Sequence, residues 1–291
     1  MPEKARAVSF AHSGGILAMG LLSFLFGCGE EEAPFRKKDG AWHYLESPIE
    51  GADAKSFEAL SKHYAKDTNR VYHADTYRKG QEYYTIKHTR IRVIEGADPA
   101  TFRYLKDEYA RDRSSMYYEG TAFPVKEIET FELLEFGFAR DRVSGYYRQR
   151  PIPGSDGSTF AVVDSSYSKE ASKVFYSALE PRGQGPNPWT APVRGARPDS
   201  FRILDFSHAT DAAQVYYRGE PLTKEVGSFV VLKYGYSKTA TRVYYDGKPV
   251  QGADAASFAT LEESTDAADA RDRNETFKHG RKAGAAAKKP E

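Results

Sequence analysis

Two periodicities overlie one another along this chain. On the short scale, apolar and polar positions alternate over a few residues. VYYDGKPV (243–250) is an example, with β-branched and aromatic residues on either side of an Asp-Gly pair. Such a run predicts a strand, a tight turn and a second strand, because these side chains fit a pleated, half-buried surface. Asp246-Gly247 supplies the positive φ that a short turn needs. On the long scale the whole pattern recurs. SFEALSKHYAKDTNRVYH (56–73), TFRYLKDEYARDRSSMYY (101–118), TFELLEFGFARDRVSGYY (130–147), TFAVVDSSYSKEASKVFY (159–176), SFRILDFSHATDAAQVYY (200–217) and SFVVLKYGYSKTATRVYY (228–245) align without a gap. The spacing is 28 or 29 residues where nothing is inserted. KKDGAWHYL (37–45) reads as the tail of an opening unit, and SFATLEESTDAADARDRNETFKHG (257–280) as a closing unit with about four inserted residues. Two larger insertions, about 16 residues around 74–93 and about 12 around 180–195, interrupt the series. The second, EPRGQGPNPWTAPVRG, is rich in Pro and Gly and predicts a loop.

A repeat this short cannot bury its own aromatics and must stack on its neighbours. In the connector GADPATF (96–102), Asp98 suits the cap of a single helical turn and Pro99 its first position. Asp67, Asp112, Asp141 and Asp211 stand where a carboxylate can bond the backbone two residues on. The expected fold is therefore an all-β-dominated repeat protein. It has about seven stacked, tyrosine-rich β-hairpin units with short helical turns in an open curved array, a closed ring being the alternative. Strand alternation puts Val243 and Tyr245 on one side and Tyr244 on the other. One tyrosine column is thus expected inside and one outside. Tyr117, Tyr146, Tyr216 and Tyr244 are the candidate outward binding row, with Trp189 in the second insertion. Flat rings with a polar tip stack well on sugars and peptides. The competing reading is that these rings pack against the next unit.

At AKDTNRVYH (65–73), ARDRSSMYY (110–118) and TRVYYDGKPVQGADAASF (241–258) the chain resembles the bacterial DKNYY repeat family. That family is named for Asp-Lys-Asn-Tyr-Tyr, and its units typically join through Gly-Ala-Asp-Pro. The resemblance spans 38–280. It implies an architecture and no reaction, because the family is one of unknown function.

The N-terminus reads as an address. Lys4 and Arg6 precede the apolar run ILAMGLLSFLF (16–26), which is too short to span a bilayer but suits a secretory signal. Leu25-Phe26-Gly27-Cys28 resembles the lipobox of bacterial lipoproteins, in which the peptide is cut before a Cys that is then acylated. Leu25, Gly27 and Cys28 match that pattern, and Phe26 departs from it. A plain signal peptide or an uncleaved anchor are the alternatives. The expected organisation is a lipoprotein signal peptide over 1–27, an acidic tether over 28–37, the repeat domain over 38–280 and a disordered basic tail over 281–291. The resemblance implies lipidation at Cys28 and a place in the bacterial cell envelope, periplasmic or at the cell surface. Gly29 after the Cys leans toward the outer membrane.

Charge and composition narrow the chemistry. With 42 Lys plus Arg against 41 Asp plus Glu, the net charge of +1 gives no basic footprint for nucleic acid. A single Cys excludes internal disulfides and Cys-rich zinc sites. The sequence carries no phosphate loop, nucleophile elbow, dinucleotide fingerprint or paired zinc histidines. His63 and His73 would share a hairpin, close enough to hold one cation, but each also simply fills a repeat column. No metal, cofactor or catalytic residue is expected. The leading expectation is a non-catalytic binding or scaffolding module that presents tyrosine-rich faces to an envelope protein, peptide or glycan. An envelope enzyme or accessory with a site on the insertions 74–93 and 180–195, and a structural spacer, are the alternatives.

Overall fold

In the computed structural model, residues 33–80, 83–182 and 185–283 are described. The signal segment and Cys28 lie outside them. Among the described residues there is no α-helix; the chain forms eight separate antiparallel sheets, none closed on itself. Each sheet is one repeat, and its strands follow one another in sequence order. Repeat 1 has three strands, Phe35–Lys38, Ala41–Tyr44 and Ser47–Pro48. Repeats 2 to 8 have four each and cover 58–93, 103–123, 132–151, 161–192, 202–223, 230–249 and 259–282. The fold thus begins at Phe35, inside the span expected to be tether. It runs through Arg281–Lys282, which pairs with Thr276–Lys278 although it was expected to lie in the tail.

Repeat 3 shows how the sequence makes the unit. Its strands are Arg103–Lys106, Tyr109–Arg111, Met116–Tyr118 and Thr121–Phe123. The connector before it closes one helical turn, with the Phe102 N–H donating to the Asp98 carbonyl at 2.9 Å. The Asp98 carboxylate accepts from the Ala100 N–H and the Thr101 hydroxyl, the capping role that its position predicts. Thr101 Oγ1 in turn accepts the Arg113 N–H, twelve residues on. The same twelve-residue bond recurs from Ser56, Thr130, Thr159, Ser200 and Ser228. In repeat 8 it runs from Ser257 to Arg273, sixteen residues on, which locates the expected four-residue insertion.

Stacking explains the alternation. Tyr64 and Val71 on the leading face of repeat 2 meet Ala110 and Tyr117 on the trailing face of repeat 3, with Ile94 and Phe102 between them. The other junctions with a buried apolar cluster repeat this arrangement, with Tyr167 and Val174 against Ala209 and Tyr216, or Tyr236 and Val243 against Ala270 and Phe277. The second strand always offers a small residue to the sheet behind it, Ala65, Ala110, Ala139, Ser168, Ala209, Ser237 or Ala270, so that a neighbouring ring can sit down. At these junctions the facing sheets therefore cover one another. This overturns the expectation that alternation separates an inner column from an outer one.

Candidate functional site

The aspartate after the second strand is the centre of repeats 2, 3, 4, 6 and 8. Asp112 is buried, and its Oδ1 accepts the N–H groups of Ser114 and Ser115, both at 2.7 Å. Its Oδ2 accepts the Tyr117 hydroxyl at 2.8 Å and the Asp98 N–H of the incoming connector at 3.0 Å. One carboxylate thus ties the turn, the third strand and the connector together. Asp67, Asp141 and Asp211 do the same with Tyr72, Tyr146 and Tyr216. Burial pushes these four carboxyls up, but the converging hydrogen bonds outweigh it and hold each below the usual carboxylate range. The tyrosines respond in the opposite sense. Burial, then the bond to the carboxylate, pushes Tyr72 and Tyr117 up to about 12.

These contacts decide the status of the candidate row. Tyr117, Tyr146, Tyr216 and Tyr244 are 1, 1, 0 and 3 % exposed. They are core, not a binding face, because each lies against the sheet behind and, in the first three, its hydroxyl is spent on the aspartate. The second tyrosines are not an exposed row either. Tyr147 is buried, and Tyr118, Tyr217 and Tyr245 are half-buried. They pair across strands with Tyr109, His208 and Tyr236, and Tyr147 pairs with Phe138, at ring separations of 4.8 to 5.1 Å. The turn of the next repeat then sits on them. Gly219 approaches so closely that a Cβ there would lie 2.6 Å from the Tyr176 Cβ. Its N–H donates to the Tyr167 hydroxyl at 2.8 Å. Gly120 and Gly280 do the same to Tyr64 and Tyr236. The glycine of the Asp-Gly type turn therefore serves close approach as well as positive φ.

Sequence reasoning missed the basic residue that ends the second strand. Lys66 donates to the carbonyls of Pro99 and Phe102, Lys238 to those of Ala255 and Phe258, and Arg140 to that of Phe160. It caps the open carbonyls of the next connector. The signal was present in the recurrent Lys or Arg of YAK, YAR, FAR and YSK, but what it reaches lies a repeat away.

Both insertions lengthen the third and fourth strands into projecting hairpins. Val71–Tyr77 pairs with His88–Val93, and Val174–Arg182 pairs with Gly185–Pro192. The second insertion is thus not the loop its Pro and Gly content predicted. Pro186, Pro188 and Pro192 lie on an outer strand and share one parity, so their missing N–H groups fall on the unpaired side. Trp189 is half-buried, opposite Ala178, with its ring 5.9 Å from that of Tyr176. The tip of the first hairpin carries the exposed Tyr83, Tyr84 and Ile86. Arg78 lies beside Tyr83, and Arg90 lies over Tyr77.

The histidines do come together. The His63 and His73 rings are 6.1 Å apart. Glu108 of the next repeat places one oxygen 2.8 Å from His63 Nδ1 and the other 4.0 Å from His73 Nε2. Arg92 donates to His73 Nδ1 at 3.3 Å, which puts the neutral ring's proton on Nε2 and turns a donor, not a lone pair, toward Glu108. Burial, then the Arg92 charge, lowers His73 to about 4. Among the described residues no group of three or more His, Cys, Asp or Glu is disposed to hold a metal ion.

The recurrent Asp, Lys or Arg, and paired aromatics are the features by which the chain compares with known proteins. The DKNYY family matches residues 35–179 and again 138–281. The chain belongs to the DKNYY family. The second match opens at Phe138, the start of the second strand of repeat 4, as the first opens at Phe35 in the equivalent strand of repeat 1. The family pattern is therefore in register three repeats apart, the same interval that separates the long hairpins of repeats 2 and 5. Comparison with curated proteins and with solved structures gives no match.

Proposed function

We propose that this DKNYY protein is a lipid-anchored, non-catalytic scaffold of a bacterial envelope, tethered through Cys28, whose two long hairpins engage an envelope partner. The observation that carries the reading is the contrast between the sealed tyrosine columns and the hairpins. The repeats spend their aromatics on one another, while the hairpin of repeat 2 leaves Tyr84 90 % exposed and Tyr83 55 %. Exposed aromatics make large contact area at low side-chain entropic cost. The expected test places a photo-crosslinking amino acid at position 84 or 179 in the native host cells, with position 206 as control. Phe206 is 98 % exposed on a short turn away from both hairpins. Discrete crosslinks at 84 or 179 and none at 206 support the scaffold. Their absence at both hairpins leaves a structural spacer. Loss of labelled palmitate on Cys28→Ala tests the anchor separately.

A further inference from the structure

Buried apolar clusters join repeats 1 and 2, 2 and 3, 4 and 5, 5 and 6, and 7 and 8. Among the described residues none joins repeats 3 and 4, nor repeats 6 and 7. Repeats 3 and 4 meet through the rings of Phe123, Phe131 and Tyr146, and a cleft of about 580 Å³ opens beside Tyr118, with a groove of about 400 Å³ adjoining it along Leu133, Leu134 and Glu135. That is the size range of small-ligand sites, roughly 300–1,000 Å³.

Three features build the cleft. First, the turn that should seat a glycine on Tyr118 holds Arg148 and Gln149, both at positive φ (45° and 65°), and Gln149 bonds the Tyr109 hydroxyl. Second, Glu135–Gly137 forms a single turn, whose backbone recurs at Tyr234 and Gly235 of repeat 7. Third, that turn holds Phe136 at φ 56° with 53 % of the residue exposed. A non-glycine residue in the left-handed region and an exposed apolar ring are each unfavourable, and backbone strain of this kind gathers at ligand sites.

The lining specifies the occupant. Tyr109 and Tyr118, with ring centroids 4.8 Å apart, line the repeat 3 side, and Phe136 stands at the mouth. Lys106 and Arg148 balance Asp107 and Glu135, so no net charge selects an ion. Carboxylates, guanidinium and amide together accept from and donate to hydroxyls. An extended peptide would need a free strand edge to pair with. The first strand of repeat 4 has only the two residues Glu132–Leu133, and that of repeat 3 only the four of Arg103–Lys106. We infer that the cleft between repeats 3 and 4 is a binding site for a neutral oligosaccharide, whose ring face stacks on Tyr118 and Phe136 while its hydroxyls meet Glu135, Arg148 and Gln149. The second hairpin meets repeat 4 beside this site, where Arg150 donates to the Pro188 carbonyl at 3.4 Å, and the cleft stands whether or not either hairpin binds a partner.

The experiment is titration calorimetry of the mature protein with chitotetraose, cellotetraose and maltotetraose, and with tetra-alanine as the peptide probe. The expected result is saturable binding of at least one tetrasaccharide. It should weaken at least tenfold in Phe136→Gly and in Gln149→Gly, with Tm unchanged or raised in Phe136→Gly, which relieves positive φ; in Gln149→Gly that relief is set against the lost bond to the Tyr109 hydroxyl. Glu135→Gln, on an exposed side chain, should weaken it with Tm unchanged. No binding of any tetrasaccharide at millimolar concentration overturns the inference. So does binding that all three variants retain, or binding of the peptide in place of the sugars.

Discussion

Asp211→Ala should open repeat 6 selectively, and the structure sets how far. The Asp211 carboxylate accepts the Arg197, Ala213 and Gln214 N–H groups at 2.8, 2.7 and 2.8 Å and the Tyr216 hydroxyl at 2.9 Å. The Ala213 and Gln214 groups lie in a half-exposed turn and can turn to water. The Tyr216 hydroxyl, on a residue 0 % exposed, cannot, whereas the N–H of the exposed Arg197 can. One stranded hydroxyl at about 1–3 kcal/mol, with the charge-assisted bonds of the turn exchanged for water, puts the loss at about 3 kcal/mol. Tyr216→Phe removes one bond to a charged group and leaves the other three, about 1.5 kcal/mol. Once Asp211 is gone, removing the hydroxyl should cost nothing, so the double variant falls short of additivity by about 1.5 kcal/mol. The array is quasi-one-dimensional and global melting would blur the effect. The assay is therefore hydrogen exchange at the amides of Val215–Tyr217 and His208–Thr210. A loss under about 1 kcal/mol in Asp211→Ala, a Tyr216→Phe variant as damaging as it, or a loss spread evenly over all eight repeats would refute the reasoning. The chain itself varies the pair: Glu170 stands with Phe175 and accepts from Ser172 instead, Thr239 stands with Tyr244, and Asp272 keeps its backbone bonds beside Phe277.

Three further outcomes are expected. Because the Asp67, Asp112, Asp141 and Asp211 carboxyls are lowered on folding, their stabilisation is full above the ordinary carboxylate pKa. It is lost as pH falls through their folded values, and acid unfolding followed by circular dichroism should steepen below about pH 4. His73 acts in a higher window. Its folded value of about 4 lies below the ordinary 6.5, so the unfolded chain takes up the proton first and stability falls from pH 6.5 toward 4. The limit is about 3 kcal/mol, and His73→Tyr, the residue of the equivalent column, should abolish that part of the profile. Gly219→Ala and Gly40→Ala share a φ of +81°, but only Gly219 has a neighbour, the Tyr176 side chain at 2.6 Å. Gly40→Ala should cost about 1 kcal/mol and Gly219→Ala well above 2 kcal/mol, read from the Tm of each.

The sequence by itself determined the repeat, its length, its strand and turn chemistry, and the local duties of Asp98 and Asp112. These depend on residues within a turn of one another, and backbone preference and side-chain reach act at that range. It also located the insertion in the closing repeat, which the displaced Ser257 bond places at four residues. Tertiary structure alone decided which faces of the sheets are covered. Alternation along Val243-Tyr244-Tyr245 fixes that neighbours point apart, but whether the far side meets water or another sheet depends on stacking. Here it meets a sheet, so Tyr117, Tyr146, Tyr216 and Tyr244 became core. The same reason hid the reach of Lys66 to the carbonyl of Pro99, the seat of Gly219 on Tyr176, and the cleft beside Tyr118. Each is made by two repeats whose residues stand far apart in the chain. Pro186, Pro188 and Pro192 misled because composition predicts a loop, whereas an outer strand tolerates proline on its unpaired side, and only the pairing partner shows which side that is.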